Sequence, residues 1–364
     1  MKRILALLLA LLTLSGCSSM LNRSYRSVTP HVTHTSDPAA PETPEALRAE
    51  TYGELVNDVQ YLVSTGEDTG VIHVYNYTGS LESDLEEVCG ELLDQDPLCS
   101  WALSDIQWSH SSLISYDECR FTFTYRVDTA LLNEVQSAVG FAAIRQRLGQ
   151  TLAQYDRRLL LMTPAYYGKE ELLLQLARQA YYSNPATALG YPRISLRLYP
   201  AQGSGSRTLA ELYFTYNVDK NTALEQTQRV NAAAVRLTGS TPAQGAVGCW
   251  VLCSRLTGLN HYDPQGQPSI FNALVSGGAD SEGMALAYQY LCQQAGLECM
   301  SVFGTLDGSP HCWNLVNVED GWRHIDVTSA VQQQDLLRTD SQMSPRYVWD
   351  TSQYPACGEE TQAE

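Results

Sequence analysis

Apolar positions follow three patterns in turn along this chain. After Met1-Lys2-Arg3, an apolar run extends from Ile4 to Leu14. It has the length of a signal-peptide core and is too short to span a bilayer as a helix. Residues 18–50 then show no apolar period, and Ser, Thr and Pro dominate them. Such a stretch cannot bury a core and reads as a flexible tether. Beyond it, strand-like and helix-like patterns alternate, which predicts an α+β fold. No later apolar stretch approaches the roughly 20 residues of a membrane span.

The middle of the chain repeats itself. Phe123-Thr124-Tyr125-Arg126-Val127-Asp128 recurs as Phe214-Thr215-Tyr216-Asn217-Val218-Asp219. Strands near Ile106-Gln107-Trp108 and Ile194–Leu198 precede the two copies, and helical patterns follow from about 129 and about 220. Further upstream, Val71–Tyr75 with 81–95 and Leu159–Met162 with 169–182 each read as a strand and a helix. The expectation is a duplicated strand–helix–strand–strand–helix region, about 65–150 and 155–240, as two small modules or one pseudo-symmetric domain. The paired tyrosines Tyr166-Tyr167 and Tyr181-Tyr182 suit either core packing or a groove wall.

Near the C-terminus the periods sharpen. Met284, Tyr288, Leu291, Cys292 and Ala295 share one helical face, and Gly296 supplies a stop. A strand follows at 298–304, and Asp307-Gly308 turns the chain into a second strand at 311–318. Asp320-Gly321 then signals a hairpin into a third strand at 322–328. With Asp320-Gly321 as the two turn residues, Asp326 would face Leu315, and a bulge or strong twist would be needed to bring it to His311.

Charge and cysteines narrow the function classes. The formal net charge is −17 over 364 residues, and loss of Lys2 and Arg3 with a signal peptide makes it −19. That excess disfavours nucleic acid and anionic polymers as partners, but not peptides or neutral glycans. Cys17 aside, nine cysteines remain, an odd number. Their spacing fits no zinc pattern, and His31 with His34 lacks a third ligand type, so no metal and no cofactor is expected.

Three segments carry candidate chemistry: Gly278-Ala279-Asp280-Ser281-Glu282-Gly283-Met284-Ala285, Pro310-His311-Cys312-Trp313-Asn314 and Trp322-Arg323-His324-Ile325-Asp326-Val327-Thr328. Their order and spacing resemble the catalytic core of the bacterial transglutaminase-like superfamily. Asn260-His261-Tyr262-Asp263 and Asn272-Ala273-Leu274 resemble its lead-in to the nucleophile helix. The resemblance covers about 240–330. It implies a papain-like fold and a Cys-His-Asp triad, with His311 and Asp326 at the His and Asp positions and Trp313 and Asn314 beside the site as binding candidates. Ser281 stands where the family has Cys. A thiol with a pKa of about 8.5 becomes a resting thiolate after a shift of a few units, whereas an alcohol does not. Ser281 could act only by giving its proton to His311 during attack. Asp280 and Ser281 also both suit a helix N-cap. Cys312 should point away from His311 on its strand, and Cys292 lies about 16 Å along the helix, so neither replaces the nucleophile. His324 reads as a rim residue.

Leu14-Ser15-Gly16-Cys17 resembles a bacterial lipoprotein box. The resemblance implies cleavage before Cys17 and lipid, including palmitate-type acyl chains, on its sulfur and amine. The expected organisation is therefore a signal peptide and lipidated Cys at 1–17, a tether at 18–50, the duplicated α+β region at 51–239, a transglutaminase-like domain at 240–335 and a tail at 336–364. The expected function is a lipid-anchored, extracytoplasmic protein at the cell membrane, a pseudoenzyme that binds peptide or protein at the cell envelope. The alternatives are a Ser-dependent acyl transferase or amide hydrolase using Ser281, His311 and Asp326, and a structural envelope subunit.

Overall fold

The computed structural model describes residues 46–201, 206–239, 245–329 and 336–358. The expected signal peptide, Cys17 and nearly all of the expected tether lie outside these residues. The chain divides into two compact units, one of residues 1–93 with 104–125, the other of 94–103 with 126–364. Among the described residues no helix is long and apolar enough to cross a membrane.

The first unit opens earlier than the tether was expected to end. Strand β1 (Leu47–Ala49) leads into helix α1 (Tyr52–Thr65). A capping box starts that helix, with Thr51 accepting from Glu54 N and Glu54 reaching back. Strand β2 (Thr69–Val74), helix α2 (Leu81–Gln95), β3 (Leu103–Ser112) and β4 (Asp117–Tyr125) follow, and the short helix α3 (Pro97–Ala102), between α2 and β3 in the chain, belongs to the second unit. The sheet order is β1-β2-β4-β3. Cys119, Phe121 and Phe123 alternate as buried positions along β4, and Leu55, Val59 and Val63 of α1 and Leu85, Val88 and Leu92 of α2 are buried as well.

After α3, the second unit continues with β5 (Gln136–Ser137), α4 (Phe141–Ala153), β6 (Arg158–Pro164), α5 (Glu170–Ser183), β7 (Arg193–Tyr199) and β8 (Arg207–Thr215). Its sheet order, β5-β6-β8-β7, has the same pattern as the first sheet, with the same strand directions for the pairs β1–β2 and β5–β6 and for β2–β4 and β6–β8. Leu47 pairs with Ile72 as Gln136 does with Leu161, and Ile72 pairs with Cys119 as Leu161 does with Ala210. One expected boundary shifts. The helical pattern expected from 129 is a 3-10 turn at Thr129–Glu134, and the helix that follows it, α4, corresponds in order to α1 and opens the second set rather than closing the first.

Helices α6 (Lys220–Thr238) and α7 (Gly245–Leu259) then lead to β9 (His261–Tyr262), a π-helical turn at Asn272–Ser276 and β10 (Gly278–Ala279), which pairs in parallel with β9. Helix α8 (Ser281–Gln294) precedes β11 (Cys299–Leu306), β12 (Ser309–Val318), β13 (Gly321–Ile325), the single turn α9 (Asp340–Met343) and β14 (Tyr347–Trp349). The sheet order is β13-β12-β11-β14. One apolar cluster runs from Ala138 through Leu161, Leu212 and Leu286 to Leu336, so the region from 138 onward shares a continuous core across the expected 239/240 boundary. The expected tail is not one over its described part. Met343, Tyr347 and Cys357 are buried with Val302, Trp313 and Leu315.

Candidate active site

Helix α8 presents its first turn to the site. Asp280 is the N-cap, its carboxylate accepting from Gly283 N at 2.9 Å, and Ser281 is the first helical residue. The capping role that both residues suited therefore belongs to Asp280 alone. Gly283 is required by close packing, since a Cβ there would stand 2.8 Å from Ala279 Cβ and 2.9 Å from Ser269 O. Ser281 is 9% exposed. Its Oγ accepts a hydrogen bond from Cys312 N at 3.2 Å, and none joins it to His311. Strand alternation explains this. Asn314 faces α8 and donates to Ala285 O at 2.9 Å, so His311 and Trp313 lie on the other face of β12. Strand β13 ends at Ile325, opposite Asn314, and the Cys312 amide lies beyond that last pair.

His311 and Asp326 do meet, with Nε2 and Oδ2 at 2.9 Å and both side chains buried. No bulge is needed. The hairpin turns at Glu319-Asp320, Gly321 takes φ +98° and pairs with Val318, and His324 faces Leu315. The turn thus lies one residue earlier than expected, which moves each β12 partner by two residues. Continued past β13, this register sets Asp326 opposite Trp313, where a diagonal contact to His311 lies within side-chain reach. Thr328 donates twice to Asp326 Oδ1, from N at 2.9 Å and Oγ1 at 2.7 Å, and Tyr347 Oη donates to Oδ2 at 2.7 Å. Burial pushes the Asp326 carboxyl up, but the bonds from His311, Thr328 and Tyr347 outweigh it and hold the pKa at about 2. An ionised Asp326 takes the Nε2 proton side of His311, which leaves Nδ1 as the ring's lone-pair nitrogen, without a hydrogen-bond partner among the described residues.

A second His–Asp pair lies behind the first. Trp313 stacks on His311 at 6.3 Å, and its Nε1 donates to His324 Nδ1 at 2.9 Å. His324 Nε2 reaches Asp340 Oδ1 at 2.7 Å. His324 is 0% exposed, not a rim residue, because the chain at Arg338 and Asp340 covers it. Trp313 and Asn314 are also 0% exposed, so neither of these expected binding residues presents surface to a ligand. His324, Asp340 and Cys357 offer donor atoms within 4.8 Å of one another. They do not make a convincing metal site. The indole N–H of Trp313 can only donate, so His324 Nδ1 must accept and Nε2 must carry the proton. A cation on Nε2 would leave the ring an imidazolate, where metal-bound histidines normally donate from their second nitrogen.

The rim belongs to residues given little weight in the sequence. Tyr262 is 38% exposed, and its ring stands edge-on to His311 at 6.4 Å. Its hydroxyl pKa is raised by burial and by Asp326, Asp280 and Asp263. Glu282, raised by burial, accepts from Tyr182 Oη at 3.0 Å, and Tyr182 packs on Phe303 at 4.2 Å. Tyr182 is thus partly buried against the core. The most consequential contributor that went unread is Tyr347, which sits in a three-residue strand too short to show a period.

Residues 1–18 match the family model of the prokaryotic membrane lipoprotein lipid attachment site. No curated protein matches the chain. Among solved structures, the chain is similar to the crystal structure of a TGase, at 14% identity and a TM-score of 0.27 over 78% of this chain and 79% of that one. It is also similar to a candidate cysteine protease from Cytophaga hutchinsonii, at 10% identity and a TM-score of 0.25 over 43% of this chain and 70% of that one. A candidate protease from Parabacteroides distasonis gives 10% identity and a TM-score of 0.22 over 70% and 39%. Residues 1–18 thus carry a lipoprotein lipid attachment site, and the helix–strand–strand order of the C-terminal region joins His311 to Asp326 and sets Ser281 against the Cys312 amide.

Proposed function

We propose that the chain is a lipid-anchored protein on the extracytoplasmic side of the membrane, and that its C-terminal site binds a peptide or protein segment without acyl-transfer chemistry. The observation that carries this reading is the position of Ser281. Its Oγ is nearly buried and accepts from the Cys312 amide, with no hydrogen bond to a base. An alcohol becomes a nucleophile only when a general base takes its proton in the attack step. What stays open to a ligand is the exposed Tyr262 ring, edge-on to the buried His311, which suits a flat or aliphatic side chain.

The Ser-dependent hydrolase or transferase remains the competing reading, because the His311–Asp326 pair is intact. A fluorophosphonate probe on the full chain separates the two. No labelling at Ser281 is expected. Stoichiometric labelling that Ser281→Ala abolishes would establish the hydrolase. For the binding reading, a photo-crosslinking side chain at position 262 should capture a peptide or protein in the envelope fraction, and Tyr262 crosslinking to nothing there would refute it.

A further inference from the structure

The hairpin joining β3 to β4 ends in Leu113-Ile114-Ser115-Tyr116, closed by Leu113 N donating to Tyr116 O at 2.8 Å. Leu113 is 50% exposed and Ile114 is 108% exposed, the most open of the large apolar side chains described. Beneath this tip lies an aromatic collar. The Tyr116 ring stands 4.4 Å from His73 and 5.3 Å from Tyr75, and the Arg48 guanidinium sits 4.5 Å above Tyr75. No acidic or basic residue lies between His110 and Asp117, and the Asp117 carboxylate accepts from Ser112 Oγ.

The fold does not require such a tip. The hairpin between β7 and β8, in the same place of a sheet with the same strand order, reads Pro200-Ala201-Gln202-Gly203-Ser204-Gly205-Ser206 and holds no large apolar residue. Two bare aliphatic side chains are unfavourable in water and favourable in hydrocarbon. Tyrosine rings and an arginine just behind them match the chemistry of a bilayer interface. The surface that holds a lipidated Cys17 is within reach, because 28 residues separate Cys17 from Ala46 and an extended chain spans at most about 3.5 Å per residue.

We propose that the Leu113-Ile114 tip inserts into the lipid bilayer to which Cys17 is attached, as a second contact that fixes how the first unit faces the membrane. The contact is apolar. It needs no anionic lipid, which an acidic chain would repel, and it is insensitive to salt.

The nine cysteines after Cys17 are all buried, so an Ile114→Cys variant can be labelled selectively with an environment-sensitive fluorophore. In the lipidated full chain on phosphatidylcholine vesicles, that label should shift to the blue and be quenched by brominated acyl chains. The same label in Ala201→Cys should report water. A label at 114 as wet as the one at 201 overturns the proposal. So does a shielded label that bromine does not quench, since a protein would then cover the tip. In a Cys17→Ser full chain, flotation with neutral phosphatidylcholine vesicles should fall at least tenfold on Leu113→Ser with Ile114→Ser, and unchanged flotation would also refute insertion.

Discussion

At the scale of single residues, the site is a bonded His311–Asp326 pair with Ser281 held on the Cys312 amide. Ser281→Cys places a thiol at the first turn of α8, where the helix dipole favours a thiolate and the His311 lone pair is unpartnered. Alkylation by iodoacetamide at pH 7 should then exceed that of an ordinary thiol by about tenfold or more. An ordinary rate would mean that His311 is out of reach from α8. Asp326 carries the stability of the site. Its folded pKa of about 2 lies below the unfolded value of about 3.9. The stabilisation is therefore full above about pH 4 and is lost as pH falls through about 2. Asp326→Asn should cost about 2–4 kcal/mol near neutral pH in denaturant unfolding, and much less below pH 2. Tyr347→Phe should cost about 1–2 kcal/mol through the single bond it removes.

At the scale of elements, the C-terminal sheet depends on one close crossing. Gly304 lies opposite Trp349 of β14, and a Cβ there would strike the Val348 carbonyl and stand 2.8 Å from the Trp313 ring. Gly304→Ala should therefore destabilise the chain by about 1–3 kcal/mol and lower its melting temperature. How far such elements were legible depended on local signals. The helix face of Met284, Tyr288, Leu291 and Cys292 and the Asp307-Gly308 turn were plain, because period and turn chemistry act over a few residues. Asp320-Gly321 misled by one step, since Gly321 follows the turn instead of forming its second corner. The burial of His324 comes from a segment fourteen residues on, which no local period announces. The α1 capping box, Thr51 to Glu54, was a local signal just past the expected tether, and no helix was read from it.

At the scale of the whole molecule, Asp58 of the first unit and Asp326 of the second respond to pH in opposite senses. Asp58 in α1 is buried, and its Oδ2 has no hydrogen-bond partner. Burial, with Glu54 nearby, pushes its carboxyl up to about 7. A folded value above the unfolded one gives stability that is full below about pH 4 and lost as pH rises through about 7. Asp58→Asn should therefore raise thermal stability at pH 8, by about 1–3 kcal/mol, and leave it nearly unchanged at pH 4. Equal gains at both pH values would show that the effect is not one of charge.

The return of the last strand sets an order of events during biosynthesis. Asp326 waits for Tyr347, His324 waits for Asp340, and the layer over Trp313 waits for Met343 and Cys357. Every one of these partners is made after the helix, the histidine strand and the aspartate that they complete. A chain emerging N-terminus first can finish its first unit once residue 125 is out, but its C-terminal site exists only after residue 357 has followed. Any product interrupted within that final stretch would keep Ser281, His311 and Asp326 in its sequence and still lack the contacts from Tyr347, Asp340 and Cys357 that complete the site.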